Sequence, residues 1–399
     1  MSKAAAGESS IHQDAHGRWH GYVSMGFDEN GKRDRRHVSA AKRADVVKKV
    51  RVLEERRDAG LGAIAGRGPT VAEWLDTWLT TVAIRRVRPK TYESYEAYIR
   101  VHLKPALGRH RLNQLQPEHL EAYYLSAQRK GLAPSTILHH HRVLSRALKI
   151  AVQRGRVSRN VATLVDAPSV PKTEVVPLTQ GEAKRLMAAA VGRPNAARWS
   201  VALALGLRQG EALGLAWSDI DFELGSLTVR QALQRQRIRH GCEGEACGFP
   251  PKKCPQRQGG MVMTEPKSRA GRRVIALPAP LIATLKAHRA QQHAERLQMG
   301  EIWQDHDLVF ANEIGDPIQP RKDWALWKEL LRDAKVRDAR LHDARHTAAT
   351  LLLQQGVDAR VVMEILGHSQ IGLTQNTYQH VVPVLARDAA DKMAKALWD

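Results

Sequence analysis

From Val71 onward apolar residues return at helical spacing: Val71, Trp74, Leu75, Trp78, Leu79 and Val82 fall on one stripe that a helix would bury. Thr70 and Glu73 stand three apart at its start, the pattern of a capping box in which each side chain reaches the other's backbone amide. Three more helices are expected around Tyr92 to His102, Pro117 to Lys130 and Ser135 to Arg154, with Gly131 and Gly155 as the C-terminal stops of the last two. Upstream the period falls to two. Trp19, Gly21, Val23 and Met25 alternate along a strand, Asp28-Glu29-Asn30-Gly31 makes a turn, and a basic strand runs from Arg33 to Ser39. Val46, Val50 and Leu53 then mark a helix that packs on this sheet.

Two stretches break the patterning. Ala59-Gly60-Leu61-Gly62-Ala63-Ile64-Ala65-Gly66-Arg67-Gly68-Pro69 is a flexible linker by composition, and Ala167-Pro168-Ser169-Val170-Pro171-Lys172 opens a second. The expected organisation is therefore a disordered tail (1–10), a three-stranded sheet plus helix (11–58), a linker (59–69), a four-helix unit (70–166), a linker (167–176) and a final α+β domain (177–399). That last domain starts with a second capping box, Thr179 and Glu182, and continues as helices flanking a small antiparallel sheet. The fold class is multidomain, mainly α with small β-sheets. Near the end Leu385, Ala389, Met393 and Leu397 share one helical stripe, which docks either on an adjacent protomer or back on its own domain.

Charge narrows the partner. Across 399 residues, 62 Lys+Arg against 41 Asp+Glu leave a net charge of +21, which favours a polyanion because phosphate neutralisation releases counterions. Charge alone does not separate DNA from RNA, or an enzyme from a binder. No apolar run approaches the roughly 18 residues that would span a bilayer, and the first ten residues have no signal-peptide core. A cytoplasmic protein with a polyanionic partner and no membrane attachment is the expectation.

Four elements in fixed order carry the candidate chemistry. The first is Leu205-Gly206-Leu207-Arg208-Gln209-Gly210-Glu211-Ala212-Leu213-Gly214-Leu215, leading into Trp217-Ser218-Asp219-Ile220-Asp221. Next comes Glu265-Pro266-Lys267-Ser268-Arg269-Ala270-Gly271-Arg272-Arg273-Val274-Ile275-Ala276-Leu277-Pro278. Leu341-His342-Asp343-Ala344-Arg345-His346-Thr347 is the third, and Leu366-Gly367-His368-Ser369-Gln370-Ile371-Gly372-Leu373-Thr374-Gln375-Asn376-Thr377-Tyr378 closes the set. Guanidinium groups suit a phosphodiester transition state because they stay protonated and present forked donors to two oxygens at once. Arg208 and Arg345 are the candidates. Tyr378 offers a phenol, a weak nucleophile while protonated at a reference pKa of about 10, so it needs a base and a cationic site. His342 stands three residues before Arg345, a spacing that puts both on one face of a helix.

This ordered set resembles the signature blocks of the tyrosine recombinase (phage integrase) family, and the likeness extends over nearly the whole chain. The resemblance implies that Tyr378 attacks DNA to give a 3′-phosphotyrosyl link and a free 5′ hydroxyl, that Lys267 on the family's hairpin is the general acid for the departing 5′ oxygen, and that His342 assists proton transfer. It implies that His368 holds a non-bridging oxygen and that Glu211 fixes the Arg208 fork. The retained bond energy then serves a second strand without ATP, metal or other cofactor. By the same likeness, 11–58 resembles an arm-type DNA-binding domain, on Gly17-Arg18-Trp19-His20-Gly21-Tyr22 and the alternation after it, 70–166 resembles the helical, SAM-like core-binding domain, and 177–399 the catalytic domain. Arg85, Arg86, Arg88, Lys90, Arg142, Arg146 and Lys149 are candidate phosphate contacts on that helical unit. Implied partners are double-stranded DNA, further copies in a homotetramer on DNA, and an excision factor or host DNA-bending protein. Ala344 departs from the family's common leucine, and the segment near residue 240 lengthens the hairpin region, but neither removes a reactive group. Other readings share the residues: a DNA-binding regulator without catalysis, a type IB topoisomerase, Arg269 in place of Lys267 as the acid, and His342 with His346 as metal ligands four apart on a helix.

All three cysteines lie in His240-Gly241-Cys242-Glu243-Gly244-Glu245-Ala246-Cys247-Gly248-Phe249-Pro250-Pro251-Lys252-Lys253-Cys254. His240, Cys242, Cys247 and Cys254 make the ligand count of a structural Cys3His zinc site, in a Gly- and Pro-rich segment with little apolar content to order it. The alternative is an exposed, reduced loop.

Overall fold

The computed structural model describes residues 9–27, 33–58, 68–171, 176–242, 247–266 and 269–367, with Met393. Two compact units divide the chain, Met1–Lys172 and Thr173–Asp399.

The first unit opens on an antiparallel sheet of β1 (Ser10–Gln13), β2 (Trp19–Phe27) and β3 (Arg33–Ala40), with β2 in the centre. Helix α1 (Arg43–Asp58) covers one face, where Val23, Val46 and Val50 are buried among Ile11, Trp19, Met25, Val38 and Leu53. Because side chains alternate along a strand, the other face of β2 and β3 carries His20, Tyr22, Arg35 and His37. Their rings associate: His20 lies 5.0 Å from His37, Tyr22 lies 4.7 Å from His37, and the Arg35 guanidinium sits 4.7 Å from the Tyr22 ring centre.

The helical part continues as α2 (Val71–Trp78), α3 (Ile84–Arg86), α4 (Pro89–Tyr98), α5 (Lys104–Leu107), α6 (Pro117–Arg129) and α7 (Pro134–Gln153). The Thr70–Glu73 capping box forms, with Thr70 N donating to Glu73 Oε2 at 2.7 Å and Glu73 N to Thr70 Oγ1 at 3.2 Å. The helix expected from Tyr92 begins earlier, at Pro89, because proline at the first helical position lacks an amide that would have no partner there. Two π-helical turns, Leu79–Ala83 and Ile99–Leu103, join α2 to α3 and α4 to α5. The buried stripe packs as its spacing requires, around Trp74, Leu75, Trp78, Leu103, Leu120, Leu144 and Leu148. Trp74 Nε1 donates to Ala147 O at 3.1 Å, which satisfies the indole inside that core.

In the second unit, α8 (Gln180–Ala190), α9 (Ala197–Leu205) and α10 (Gln209–Leu213) precede an antiparallel sheet of β4 (Ile220–Asp221), β5 (Ser226–Val229) and β8 (Arg273–Ala276). A separate two-stranded hairpin, β6 (Ala232–Arg239) and β7 (Gln258–Thr264), is inserted between β5 and β8. Helices α11 (Ala279–Met299), α12 (Pro320–Asp333), α13 (Leu341–Gln354) and α14 (Ala359–Leu366) complete the described part. The second capping box, Thr179 with Glu182, is present. No helix among the described residues is long and apolar enough to cross a membrane. The closing stripe expected at 384–397 and the turn at 28–31 lie outside the described residues, Met393 excepted.

Candidate active site

The site starts with a reversal. Helix α9 ends at Gly206, whose φ of +60° belongs to the left-handed region that glycine takes without strain. A side chain there would also stand 2.6 Å from Leu366 Cδ2, so only glycine lets the end of α14 approach this closely. The turn delivers Arg208 to the N-terminus of α10. Gln209, next along, anchors the loop by donating to Pro320 O at 2.8 Å and to Asp323 Oδ2 at 3.0 Å. Asp323 in turn forms a buried pair with Arg198 at 3.2 Å.

Three arginines from separate parts of the chain converge on the end of α14. Arg273 Nε donates to Ile365 O at 2.5 Å, Arg345 Nη2 to Leu366 O at 2.5 Å, and Arg208 Nη2 to Gly367 O at 2.9 Å. The last carbonyls of a helix lack intrahelical partners and form its negative end, so guanidinium groups satisfy both deficits. Arg345 also donates through Nη1 to Gly206 O at 2.8 Å and is 2% exposed. Arg208 keeps 41% of its side chain exposed.

Glu211 ties two of the three together. Its Oε1 accepts from Arg208 Nη1 at 2.5 Å, and its Oε2 accepts from Arg273 Nη2 and the Arg208 amide, each at 3.0 Å. Burial by itself would raise this carboxyl, but the hydrogen bonds and charges of Arg273 and Arg208 outweigh it and hold Glu211 below the usual carboxylate range. Glu211 is therefore an anion at neutral pH, and it orients the arginine fork.

His342 sits in the first turn of α13, one turn before Arg345, and keeps an exposed edge. Burial of the rest of the ring, then the charges of Arg345 and Arg340, hold its imidazole below the ordinary value, so it is neutral at pH 7 and able to accept a proton. His346 packs against it edge-on at 4.9 Å, and burial followed by His342 pushes its own value down to about 4. Ala344, the residue that departs from leucine, is buried in the core between α8, α9 and α12.

The structure thus brings together Arg208, Glu211, His342 and Arg345. Lys267, His368 and Tyr378 lie outside the described residues, as does the side chain of Arg269. The segment expected as one lysine-bearing hairpin is divided: β7 before it pairs with β6, and β8 after it pairs with β5. Arg273 has no signal of its own in the sequence. It stands among Arg269 and Arg272 in a basic run, and only its bonds to Glu211 and Ile365 distinguish it.

The root of the β6–β7 hairpin is fixed to this site through glycine. A side chain at Gly210 would come 2.7 Å from Leu233 O, and one at Gly214 would come 2.7 Å from Leu233 N, so the backbone of β6 lies directly on α10. His240, Cys242, Cys247 and Cys254 come together at the other end of the hairpin. In the first unit, Arg85, Arg86, Arg88, Lys90, Arg142, Arg146 and Lys149 are all exposed, and Lys90 pairs with Glu93 at 2.9 Å.

The chain matches the model of the phage integrase family over residues 257–383 and that of the phage integrase N-terminal SAM-like domain over 70–142. It is 40% identical to an integrase of Saccharopolyspora erythraea, with 98% of this chain and 97% of that one covered. A XerC-like tyrosine recombinase of Caldanaerobacter subterraneus is 30% identical, with 93% and 94% covered. Among solved structures, the Tn1549 transposon integrase in complex with a circular intermediate DNA superposes with a TM-score of 0.65 at 20% identity, covering 82% of this chain and 100% of that one. The chain belongs to the phage integrase family of tyrosine recombinases, and it is a site-specific recombinase.

Proposed function

We propose that this recombinase integrates or excises a mobile element by cutting double-stranded DNA through Tyr378, with Arg208 and Arg345 on the non-bridging oxygens of the scissile phosphate. The observation that carries the reading is the convergence of Arg208 and Arg345 on the carbonyls of Leu366 and Gly367, the peptide next to His368. In the reaction, Tyr378 Oη forms a bond to phosphorus as the bond to the 5′ oxygen breaks. The phenolic proton passes to the neutral His342, and Lys267 gives a proton to the leaving oxygen. His368 donates to a non-bridging oxygen, while Glu211 and Arg273 keep the Arg208 fork aligned. The ester energy stays in the phosphotyrosine, so a 5′ hydroxyl from a second duplex reverses the step without ATP or metal. Exchange between two duplexes needs four cuts, and one Tyr378 per chain implies four chains on the DNA, assisted by an excision factor or a DNA-bending protein.

Two duplexes carrying the attachment sequence, read from the DNA flanking the coding sequence, test this reading. Joined products across the duplexes are expected. Nicking and closure of each duplex alone would instead describe a type IB topoisomerase, and binding without cleavage would describe a regulator.

Lys267→Ala should cleave ordinary DNA poorly and regain its rate on DNA with a sulfur in the 5′-bridging position, because a thiolate leaves without protonation. Rescue of Arg269→Ala and not of Lys267→Ala would move the acid to Arg269.

In the same proposal, residues 11–58 hold accessory arm sites, residues 70–166 hold the core site through Arg85, Arg86, Arg88, Lys90, Arg142, Arg146 and Lys149, and residues 177–399 cut. Support for the first comes from the outward face of its sheet, where Arg35, His20, Tyr22 and His37 stand together. Deleting residues 1–66 should leave core-site cleavage intact and abolish recombination that depends on arm sites, since tethered contacts act through effective concentration. Equal recombination by full-length and shortened proteins would remove the arm-binding role.

A further inference from the structure

We propose that His240, Cys242, Cys247 and Cys254 bind one structural zinc ion that closes the far end of the β6–β7 hairpin. The donor atoms of all four lie within 4.8 Å of one another, and among the described residues they are the one such cluster of histidine, cysteine and carboxylate donors. Their separations fit a tetrahedron around zinc. Zn–S bonds of about 2.3 Å and Zn–N bonds of about 2.0–2.1 Å set S–S edges of about 3.8 Å and S–N edges of about 3.5 Å. Cys242 Sγ stands 3.8 Å from Cys254 Sγ, and His240 Nδ1 stands 3.7 Å from Cys242 Sγ and 3.4 Å from Cys247 Sγ. A disulfide needs about 2.05 Å, and all three cysteines are free.

Burial gives a second, independent reason. Among the described residues from 234 to 266, Cys254 alone is buried, with 2% exposed, and it belongs to none of the hydrophobic clusters. Phe249, the large apolar residue closest to it in sequence, is 54% exposed. The Cys254 thiol lies against the other three donors and the backbone of Gly241 and Gln256, and among the described residues no apolar cluster holds this end of the hairpin. A tetrahedral metal supplies that order, as it does in small domains that lack a core. Charge suits the site as well: three thiolates around a divalent ion leave one net negative charge, and the segment supplies Arg237, Arg239, Lys252, Lys253 and Arg257 against Glu243 and Glu245.

The ion is remote from the phosphate chemistry. His240 lies just past the end of β6, seven residues after Leu233, where the hairpin rests on α10, and seven extended residues span up to roughly 23 Å. Four protein ligands also leave no open position for substrate. Its effect is on register: the hairpin is fixed at Leu233 by α10 and, just past the end of β6, at His240 by the metal, which leaves β7 one pairing in which to reach Pro266, the residue before Lys267 in sequence. The link to Lys267 rests on the proposed acid role, whereas metal content does not.

Full-length protein expressed with zinc and purified under reducing conditions without chelator should carry about one zinc per chain, and Cys242→Ser with Cys254→Ser should lose it. Replacement of the ion by cobalt in the wild type should give the intense visible bands and thiolate-to-metal charge transfer of a tetrahedral, cysteine-rich site. Folding of the double variant is checked by core-site DNA binding, and the cobalt spectrum, taken on the wild type, does not depend on it. A wild-type protein that takes up neither zinc nor cobalt overturns the proposal. So does a Cys242–Cys254 disulfide in place of metal, an octahedral cobalt spectrum, or zinc retained in full by the double variant. If zinc is bound and its removal slows cleavage, 5′-bridging sulfur should restore the rate; failure of that rescue alone would break the link to Lys267 and leave the metal site standing.

Discussion

Arg208→Ala should slow single-turnover cleavage of a core site by about 100- to 1000-fold, the usual loss when one preorganised donor to a developing anion is removed. Its stability should change little beside that, because Arg208 is part exposed and Glu211 keeps Arg273 as a partner. Arg345→Ala should lose at least as much rate and should also weaken the fold. Two carbonyls, Gly206 O and Leu366 O, would lose its donors, and each buried acceptor left without a partner costs about 1–3 kcal/mol. Arg345→Lys separates the two effects. Its single ammonium recovers charge and part of the packing but not the forked geometry, so urea midpoints should return toward wild type while cleavage stays depressed. Rates within a few-fold of wild type for Arg208→Ala would take that residue out of the phosphate clamp.

Tyr378→Phe should abolish the covalent protein–DNA adduct and leave core-site affinity close to that of wild type, since one hydroxyl is lost and every cationic group remains. A suicide substrate nicked near the cleavage position traps the intermediate on a denaturing gel. A mutant that still accumulates adduct would mean that another residue attacks.

Features encoded by neighbours in sequence are legible without coordinates. Both capping boxes, the stripe through Trp74 and Trp78, and the alternation through Trp19 and Val23 each depend on spacings of two to four residues, and all four form. The tie between Arg208 and Glu211 belongs to the same class, because three residues on a helix are adjacent. What spacing cannot express is contact between distant segments. Arg273 reaches Glu211 and Ile365 across 62 and 92 residues, and in the sequence it is one basic residue among several. Gln209 is silent for the same reason, as its partners Pro320 and Asp323 lie on another helix. The division of the segment around Lys267 between two sheets depends on strand pairing, to which the local pattern of residues 265–278 is blind. The two π-helical turns leave no mark either, because one added residue in a turn barely disturbs an apolar stripe.

The cysteine segment is half legible. Its composition gives the ligand count of a metal site, but its spacing does not resemble the paired motifs of common zinc modules. The geometry supplies what composition lacks, since the β6–β7 hairpin brings Cys254 back to His240 and Cys242.

The central claim, that Tyr378 is the residue that carries the DNA, is tested most directly by mapping the trapped adduct. Wild-type protein reacted with a nicked suicide substrate, digested with nuclease and protease and sequenced by mass spectrometry, should yield one modified peptide, with a nucleotide 3′-phosphate on Tyr378 and a free 5′ hydroxyl on the released strand. Phosphate on any other residue, a 5′ linkage, or cleavage without a covalent protein–DNA product would contradict that claim.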